Sequence, residues 1–183
     1  MTRCYALVDR DGTINEERHH LREPDQLALI PGAADALIRL RDELDMGIVV
    51  LTNQAEVGRG NLALEDLERI HARLRSLLAD AGATVDAIEV CPHHPEGSAV
   101  AYAFACTCRK PGRGLLDMAL AEHAIDLPRS VFIGDGVRDL FPDAGPVRAR
   151  ILLKSGHPLP ADAQADHIAK DLGQAVDWLL AQR

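Results

Sequence analysis

Short apolar runs without polar alternation recur along the chain, and between them leucines return every three or four positions. The first run, Cys4 to Val8, reads as a buried strand that ends directly on Asp9. Pro31-Gly32 then opens a helix in which Leu37, Leu40 and Leu44 form one apolar stripe. Ile48 to Leu51 predicts a second strand, ending at Thr52-Asn53. A longer amphipathic helix begins near Leu64, carries Leu67, Ile70, Leu74, Leu77 and Leu78 on one face, and stops at Gly82. Val85 to Val90 is a third strand, after which residues 91 to 111 form an irregular excursion rich in Pro, His, Gly and Cys. The pattern resumes with a helix from Leu115 to His123, a strand from Val131 to Ile133 running into Gly134-Asp135, a strand from Arg150 to Leu153, and a last helix from Leu172 to Leu180.

Apolar strands separated by amphipathic helices imply an α/β fold, a doubly wound parallel sheet covered on both faces. No repeat, low-complexity tract or long linker interrupts it, so residues 1 to 183 read as a single domain. Binding sites in such sheets form at the carboxyl ends of the strands. Those ends are therefore where chemistry is expected.

Composition narrows the setting. Aromatic residues are only 3%, so the core rests on Leu, Ile, Val and Ala. The formal charge of -8 argues against broad binding to nucleic acid or an anionic membrane, yet a few local Arg and Lys residues suffice for one small phosphate. No stretch approaches the about 20 apolar residues of a membrane span, and the N-terminal segment is too short and too soon charged for a signal peptide. The expectation is a cytoplasmic protein with a small soluble substrate and no nucleic-acid or membrane partner.

The strand ends carry the reactive groups. Asp9-Arg10-Asp11-Gly12-Thr13 follows the first strand. Two carboxylates this close repel one another, and a bound divalent cation removes that cost; the plainer reading is an Asp-Gly turn. Thr52 and Asn53 offer a hydroxyl and an amide to a phosphoryl oxygen, or simply a turn. Gly134-Asp135-Gly136 and then Asp139 place further acids at a strand end, suited to Mg²⁺, which prefers oxygen ligands. Arg109-Lys110-Pro111 brings positive charge ahead of a helix, although alone it would read as a solvated surface pair. Taken together, a carboxylate can attack phosphorus, a second can handle the leaving-group proton, and a metal and a lysine can offset the charge.

This order of motifs resembles the haloacid dehalogenase-like phosphatases, from residue 5 to about 154. Asp9 to Thr13 matches their first motif, Thr52-Asn53 the second, Lys110 the third, and Gly134-Asp135 with Asp139 the fourth. The resemblance implies that Asp9 is the nucleophile, that Asp11 is general acid and then general base, and that Asp9, the backbone carbonyl of Asp11 and Asp135 hold Mg²⁺. Thr52 and Lys110 would stabilise the phosphoryl group, and the role of Asp139 stays open. Asp9 to Asn15, Thr52-Asn53-Gln54, Cys91-Pro92-His93-His94-Pro95 and Cys106 to Pro111 are similar to one subgroup, the heptose-bisphosphate and histidinol-phosphate phosphatases. That subgroup implies a phosphorylated sugar as substrate, with Asn53, Gln54, Arg109 and Lys110 near it and Arg109 also stabilising the phosphoryl group. It also implies a monomer with a minimal cap, its entrance framed by loops. His19 and His20 lie where a loop could reach the substrate, or be merely solvated.

The cysteines form a second constellation. Cys91-x-His93, twelve intervening residues, and Cys106-x-Cys108 supply three thiols and an imidazole, the right number and softness for tetrahedral Zn²⁺. His94 is an adjacent alternative to His93. A closed four-ligand site is structural, and this one, about residues 91 to 108, would pin the loop that presents Arg109 and Lys110. The plainer reading is buried free cysteines with surface histidines. Cys4 reads as a small core residue, and His71 and His123 as surface or core-edge positions; His157 and His167 carry no assigned chemistry.

Several positions depart from the subgroup's usual pattern. They are His19-His20, Ala55-Glu56 after Gln54, Gly112-Arg113-Gly114-Leu115, and Gly136 after Asp135. None removes a catalytic acid, and all lie where substrate contacts would form; Glu56 places an extra anion near a phosphate site. Alternatives are histidinol-phosphate hydrolysis, a phosphatase of DNA 3′ ends, which the acidic balance disfavours, and a non-catalytic zinc-stabilised binding protein, which the full set of acids disfavours.

Overall fold

The computed structural model describes residues 2–18, 21–154 and 163–182. His19, His20 and His157 lie outside the described residues. Six strands form one wholly parallel sheet: β1 (Tyr5–Val8), β2 (Gly47–Asn53), β3 (Ala87–Cys91), β4 (Val131–Gly134), β5 (Ala149–Leu153) and β6 (His167–Ala169), in the order β3-β2-β1-β4-β5-β6. Helices α1 (Ala33–Asp42), α2 (Ala55–Gly58), α3 (Leu64–Asp80), α4 (Gly114–Glu122) and α5 (Leu172–Ala181) connect or flank the strands.

The non-alternating strands are explained by two cores. Ala6, Val8, Ile48 and Val50 face α1, α3 and α5, where Leu37, Leu40, Leu67, Leu74 and Val176 are buried. Their chain neighbours Leu7, Val49 and Leu51 face the other way, onto Leu115, Leu116, Ala119 and Phe132. Apolar side chains run without alternation through Ala6–Val8 and Ile48–Leu51 because both faces of the sheet are covered there. Truncating a fully buried side chain such as Leu74 to alanine would cost about 2–5 kcal/mol.

The sheet reverses its direction of growth between β1 and β4, which lie side by side. Crossovers leave this point in opposite directions, so their loops part and a crevice opens at the carboxyl ends. Asp9 follows β1 and Asp135 follows β4, and Asp9 N–H donates to the Ile133 carbonyl at 2.9 Å. Topology thus joins two acids that are far apart in sequence.

The structure departs from the pattern-based expectation in several places. Leu44 is buried but lies beyond the end of α1. Leu77 is only partly buried on α3. The third strand begins at Ala87, not Val85, and extends to Cys91. Two elements were not anticipated. The short α2 is too brief to show a period. In β6, His167 and Ile168 are at least partly exposed at the sheet edge, with the His167 ring stacked on Trp178 at 4.8 Å.

Candidate active site

The carboxyl ends of β1, β2 and β4 and the segment before α4 converge on one polar cleft lined by Asp9, Asp11, Thr52, Gln54, Lys110 and Arg138, among others. Three buried carboxylates, Asp9, Asp135 and Asp139, place oxygens within 4.8 Å of one another. Gly12, at φ 74, allows this approach, because any Cβ there would strike the Asp135 carboxylate. Asp139 therefore belongs with the acids at the strand ends. Its Oδ2 accepts from the Gly136 N–H at 2.8 Å, and its Oδ1 lies 2.7 Å from Lys110 Nζ.

Lys110 is the internal counter-charge. Its side chain is 1% exposed, and Nζ donates to Asp9 Oδ1 at 2.6 Å and to the Leu51 carbonyl at 2.5 Å. Burial opposes its charge, but Asp9 and Asp139 win and raise it above the ordinary lysine value. Burial, and then the facing Asp139, push Asp9 up to about 7, with Lys110 pulling the other way. Lys110 and Arg138, whose Nε lies 3.8 Å from Asp139 Oδ1, still do not balance three acids. An all-oxygen donor set with excess negative charge fits a hard divalent cation such as Mg²⁺, for which these three acids are candidate ligands. The Asp11 carboxylate is not in this trio, and the ligand expected of Asp11 is its backbone carbonyl instead.

Asp11 is held elsewhere. Arg10 donates to it from Nε at 3.1 Å and Nη2 at 2.9 Å, Asn15 Nδ2 at 2.9 Å, and Gln54 Nε2 at 2.9 Å. Burial opposes ionisation, yet the Arg10 charge and the Asn15 and Gln54 donors hold Asp11 below the usual carboxylate range. Gln54 Nε2 also donates to Thr52 Oγ1 at 2.7 Å, tying the hydroxyl to the acid. Asn53 spends both ends of its amide on Lys110: Oδ1 accepts from the Lys110 N–H at 2.9 Å, and Nδ2 donates to the Lys110 carbonyl at 3.2 Å. The amide read as a substrate contact is thus a clasp that holds the lysine's backbone.

Arg109 is not among the residues lining this cleft; its Nη1 instead donates to the His93 carbonyl at 3.5 Å. Glu56 does line it, and its carboxylate is met by a set of donors: Arg59 Nη1 at 3.1 Å, Arg22 Nη2 at 3.1 Å and Asn61 Nδ2 at 3.2 Å. These partners offset the extra anion seen in the sequence.

The four zinc-type ligands meet beside the cleft. Cys108 Sγ lies 3.1 Å from Cys91 Sγ, 3.2 Å from Cys106 Sγ and 3.2 Å from His93 Nδ1, and Cys91 Sγ lies 3.6 Å from Cys106 Sγ. Edges of about 3.8 Å follow from a tetrahedron with Zn–S near 2.3 Å, so modest expansion around an ion completes the site. Burial, then hydrogen bonds with Cys91 and Cys106, push the Cys108 thiol up, while at Cys106 burial is outweighed by hydrogen bonds from Cys108 and the Arg109 backbone, which lower that thiol. His94 is engaged elsewhere: its Nδ1 accepts from the Glu96 N–H at 3.2 Å, and Arg59 Nη2 sits 3.3 Å from its Nε2. His93 is thus the histidine of the cluster. The Gln54 N–H donates to the Cys91 carbonyl at 2.8 Å, so thiol cluster and cleft share a wall.

Arg10 and Arg138 line the cleft and His71 stands behind Arg10, and the sequence reading gave none of the three a role in the site. Arg10 is 1% exposed although it lies between two catalytic-type acids, and His71, read as a surface or core-edge residue, places Nε2 2.9 Å from Arg10 Nη1. The leucine period of α3 hid His71, because it signals which face is buried and not which polar atom reaches a site.

Fold and site together define the class: a haloacid dehalogenase-like phosphatase. The crystal structure of the D,D-heptose 1,7-bisphosphate phosphatase from B. bronchiseptica, complexed with magnesium and phosphate, matches with a TM-score of 0.79 at 30% identity, covering 98% of this chain and 99% of its own. A HAD-like phosphatase structure from Mesorhizobium loti matches with a TM-score of 0.84 at 26% identity, covering 98% and 85%. The D-glycero-beta-D-manno-heptose-1,7-bisphosphate 7-phosphatase of Yersinia pestis is 34% identical over 175 residues, 95% of this chain and 88% of its own. The D-glycero-D-manno-heptose-1,7-bisphosphate 7-phosphatase of Thermosynechococcus vestitus is 36% identical over an alignment of 190 positions, 98% and 96% of the two chains. The chain belongs to the heptose-1,7-bisphosphate 7-phosphatase family. No protein-family model matches it.

Proposed function

We propose that this protein hydrolyses the 7-phosphate of D-glycero-D-manno-heptose 1,7-bisphosphate through an aspartyl-phosphate on Asp9. The observation that carries the reading is Asp9 itself: a buried carboxylate at the sheet's switch point, 2.6 Å from Lys110 Nζ and open to a polar cleft. The names of its relatives supply the substrate.

An Asp9 oxygen attacks phosphorus, and the bond from phosphorus to the sugar oxygen breaks. Asp11 gives the leaving oxygen its proton, then takes one from the water that attacks the aspartyl-phosphate, releasing inorganic phosphate and restoring Asp9. The donors around Asp11 favour its ionised form, and an incoming phosphate dianion opposes them by like-charge repulsion, which readies Asp11 to act as an acid. Lys110 and the Thr52 hydroxyl offset charge on the transferring group. A divalent cation held by Asp9, the backbone carbonyl of Asp11 and Asp135, with Asp139 beside them, would supply further charge compensation there. The thiol cluster holds zinc and places Lys110 by fixing the loop before it. Arg109, on the same loop, and His19 and His20 remain in this reading as contacts to the distal part of the sugar. The acidic balance and free thiols suit a monomer in the reducing cytoplasm. Among the described residues no helix is long and apolar enough to cross a membrane.

Hydrolysis of both anomers of heptose 1,7-bisphosphate, with histidinol phosphate and a generic ester as comparators, tests the substrate. Cleavage of heptose bisphosphate no faster than the comparators would remove it.

A further inference from the structure

We infer that His71, on α3, is a positioning residue for Asp11, acting through the buried guanidinium of Arg10. The inference rests on the role given to Asp11 above. Arginine has donors only, so the 2.9 Å contact between Arg10 Nη1 and His71 Nε2 requires the imidazole to present a lone pair. His71 is therefore neutral and carries its proton on Nδ1. Burial, then the adjacent Arg10 charge, hold its pKa down to about 3, in keeping with a neutral ring at neutral pH.

The geometry explains why the contact reaches the chemistry. The guanidinium is a rigid planar fork. Nε and Nη2 face Asp11, and Nη1 faces His71. Anchoring Nη1 therefore sets the plane in which Nε and Nη2 meet the Asp11 carboxylate. The anchor itself is stiff, because α3 is seated by Leu67, Ile70, Leu74 and Leu78, all buried. Arg10 is 1% exposed, so water cannot replace a lost partner from an open side. Asn15 and Gln54 also hold Asp11, so losing His71 tilts the carboxylate without releasing it. A tilt of that kind costs rate, and little substrate affinity.

A purely structural pair would give a different result. Removing the acceptor would leave a buried donor unsatisfied and lower stability, with proton transfer untouched. The discriminating experiment compares His71→Leu, which fills the volume without an acceptor, with His71→Gln, which restores a carbonyl oxygen. Both are assayed below their melting temperatures. The single-turnover rate of phosphoryl transfer from an alkyl phosphate should fall about tenfold in His71→Leu, with KM within about twofold, and recover to within about threefold in His71→Gln. With an aryl phosphate, whose phenolate leaves without a proton, the defect in His71→Leu should shrink to about twofold. An unchanged alkyl rate in His71→Leu, an equal defect with both esters, or no recovery in His71→Gln would each overturn the inference. Wild type and Asp9→Asn run alongside separate the two claims: a wild type inert toward every phosphate ester brings down the proposed function and this inference together, whereas an active wild type with an unmoved His71→Leu brings down the inference alone.

Discussion

The carboxylate cleft and the thiol cluster both crowd anionic groups, but they handle the charge in opposite ways. In the cleft a protein cation, Lys110, sits between Asp9 and Asp139, and the mouth is open. In the cluster, three thiols and an imidazole face one another, and burial raises the Cys108 thiol. The cleft can keep its shape while a metal exchanges, because lysine and backbone donors already bind the acids. The cluster sits in irregular backbone between β3 and α4. The difference separates a working metal from a structural one, and the two are coupled through Asn53 and Gln54.

The largest expected effect tests the cleft alone. Asp9→Asn removes the nucleophile and should lower turnover by about 10⁴-fold or more, with zinc content and melting temperature near wild type. Retained turnover would break the mechanism. Next comes the cluster. Cys108→Ser should release zinc and lower Tm by about 5–10 °C, equivalent to 2–3 kcal/mol for a chain of this size, with activity down at least about tenfold as Lys110 loses its placement. Magnesium returned after mild chelation should restore activity only while zinc is retained, which zinc quantitation alongside the assay would check.

A smaller effect concerns pH. Asp9 is pushed up to about 7, so protons compete with a divalent cation for its carboxylate. Apparent magnesium affinity should therefore fall by up to about tenfold per pH unit below 7 and level off above it, as read by metal titration of activity. An affinity flat from pH 5.5 to 7 would mean that Asp9 is not a ligand. The smallest effect probes the shared wall. Asn53→Ala deletes two hydrogen bonds to the Lys110 backbone, each worth about 0.5–1.5 kcal/mol, and should slow turnover about three- to tenfold while leaving zinc bound.

Five of the six strands, four of the helices and the parallel class were legible in the sequence, because burial on both faces demands continuous apolar strands and because the helical leucine period is strong in α3. The elements that escaped are those without such a signal: the four-residue α2 and the partly exposed edge strand β6. In the site, Asp9, Asp11, Thr52, Lys110 and Asp135 stood out because acids, hydroxyls and lysine at strand ends are unusual. The choice between His93 and His94 could not be read, since adjacent residues share any spacing rule. The direction of the Asn53 amide was equally hidden, because its partner lies 57 residues away, and so was the part of the offsetting of Glu56 that comes from Arg22, 34 residues away.

By itself, then, the sequence determined which residue types stand at the ends of buried strands, and with them the chemistry open to this protein. Periodicity and spacing are local, and a local pattern is enough to specify a strand, a motif or a ligand set. Only the tertiary structure decided that β1 and β4 lie side by side, that Asp139 joins Asp9 and Asp135, and that a histidine of α3 reaches Arg10. Those are long-range contacts, set by how helices pack across the sheet and by the approach that Gly12 permits, and no one-dimensional period encodes them.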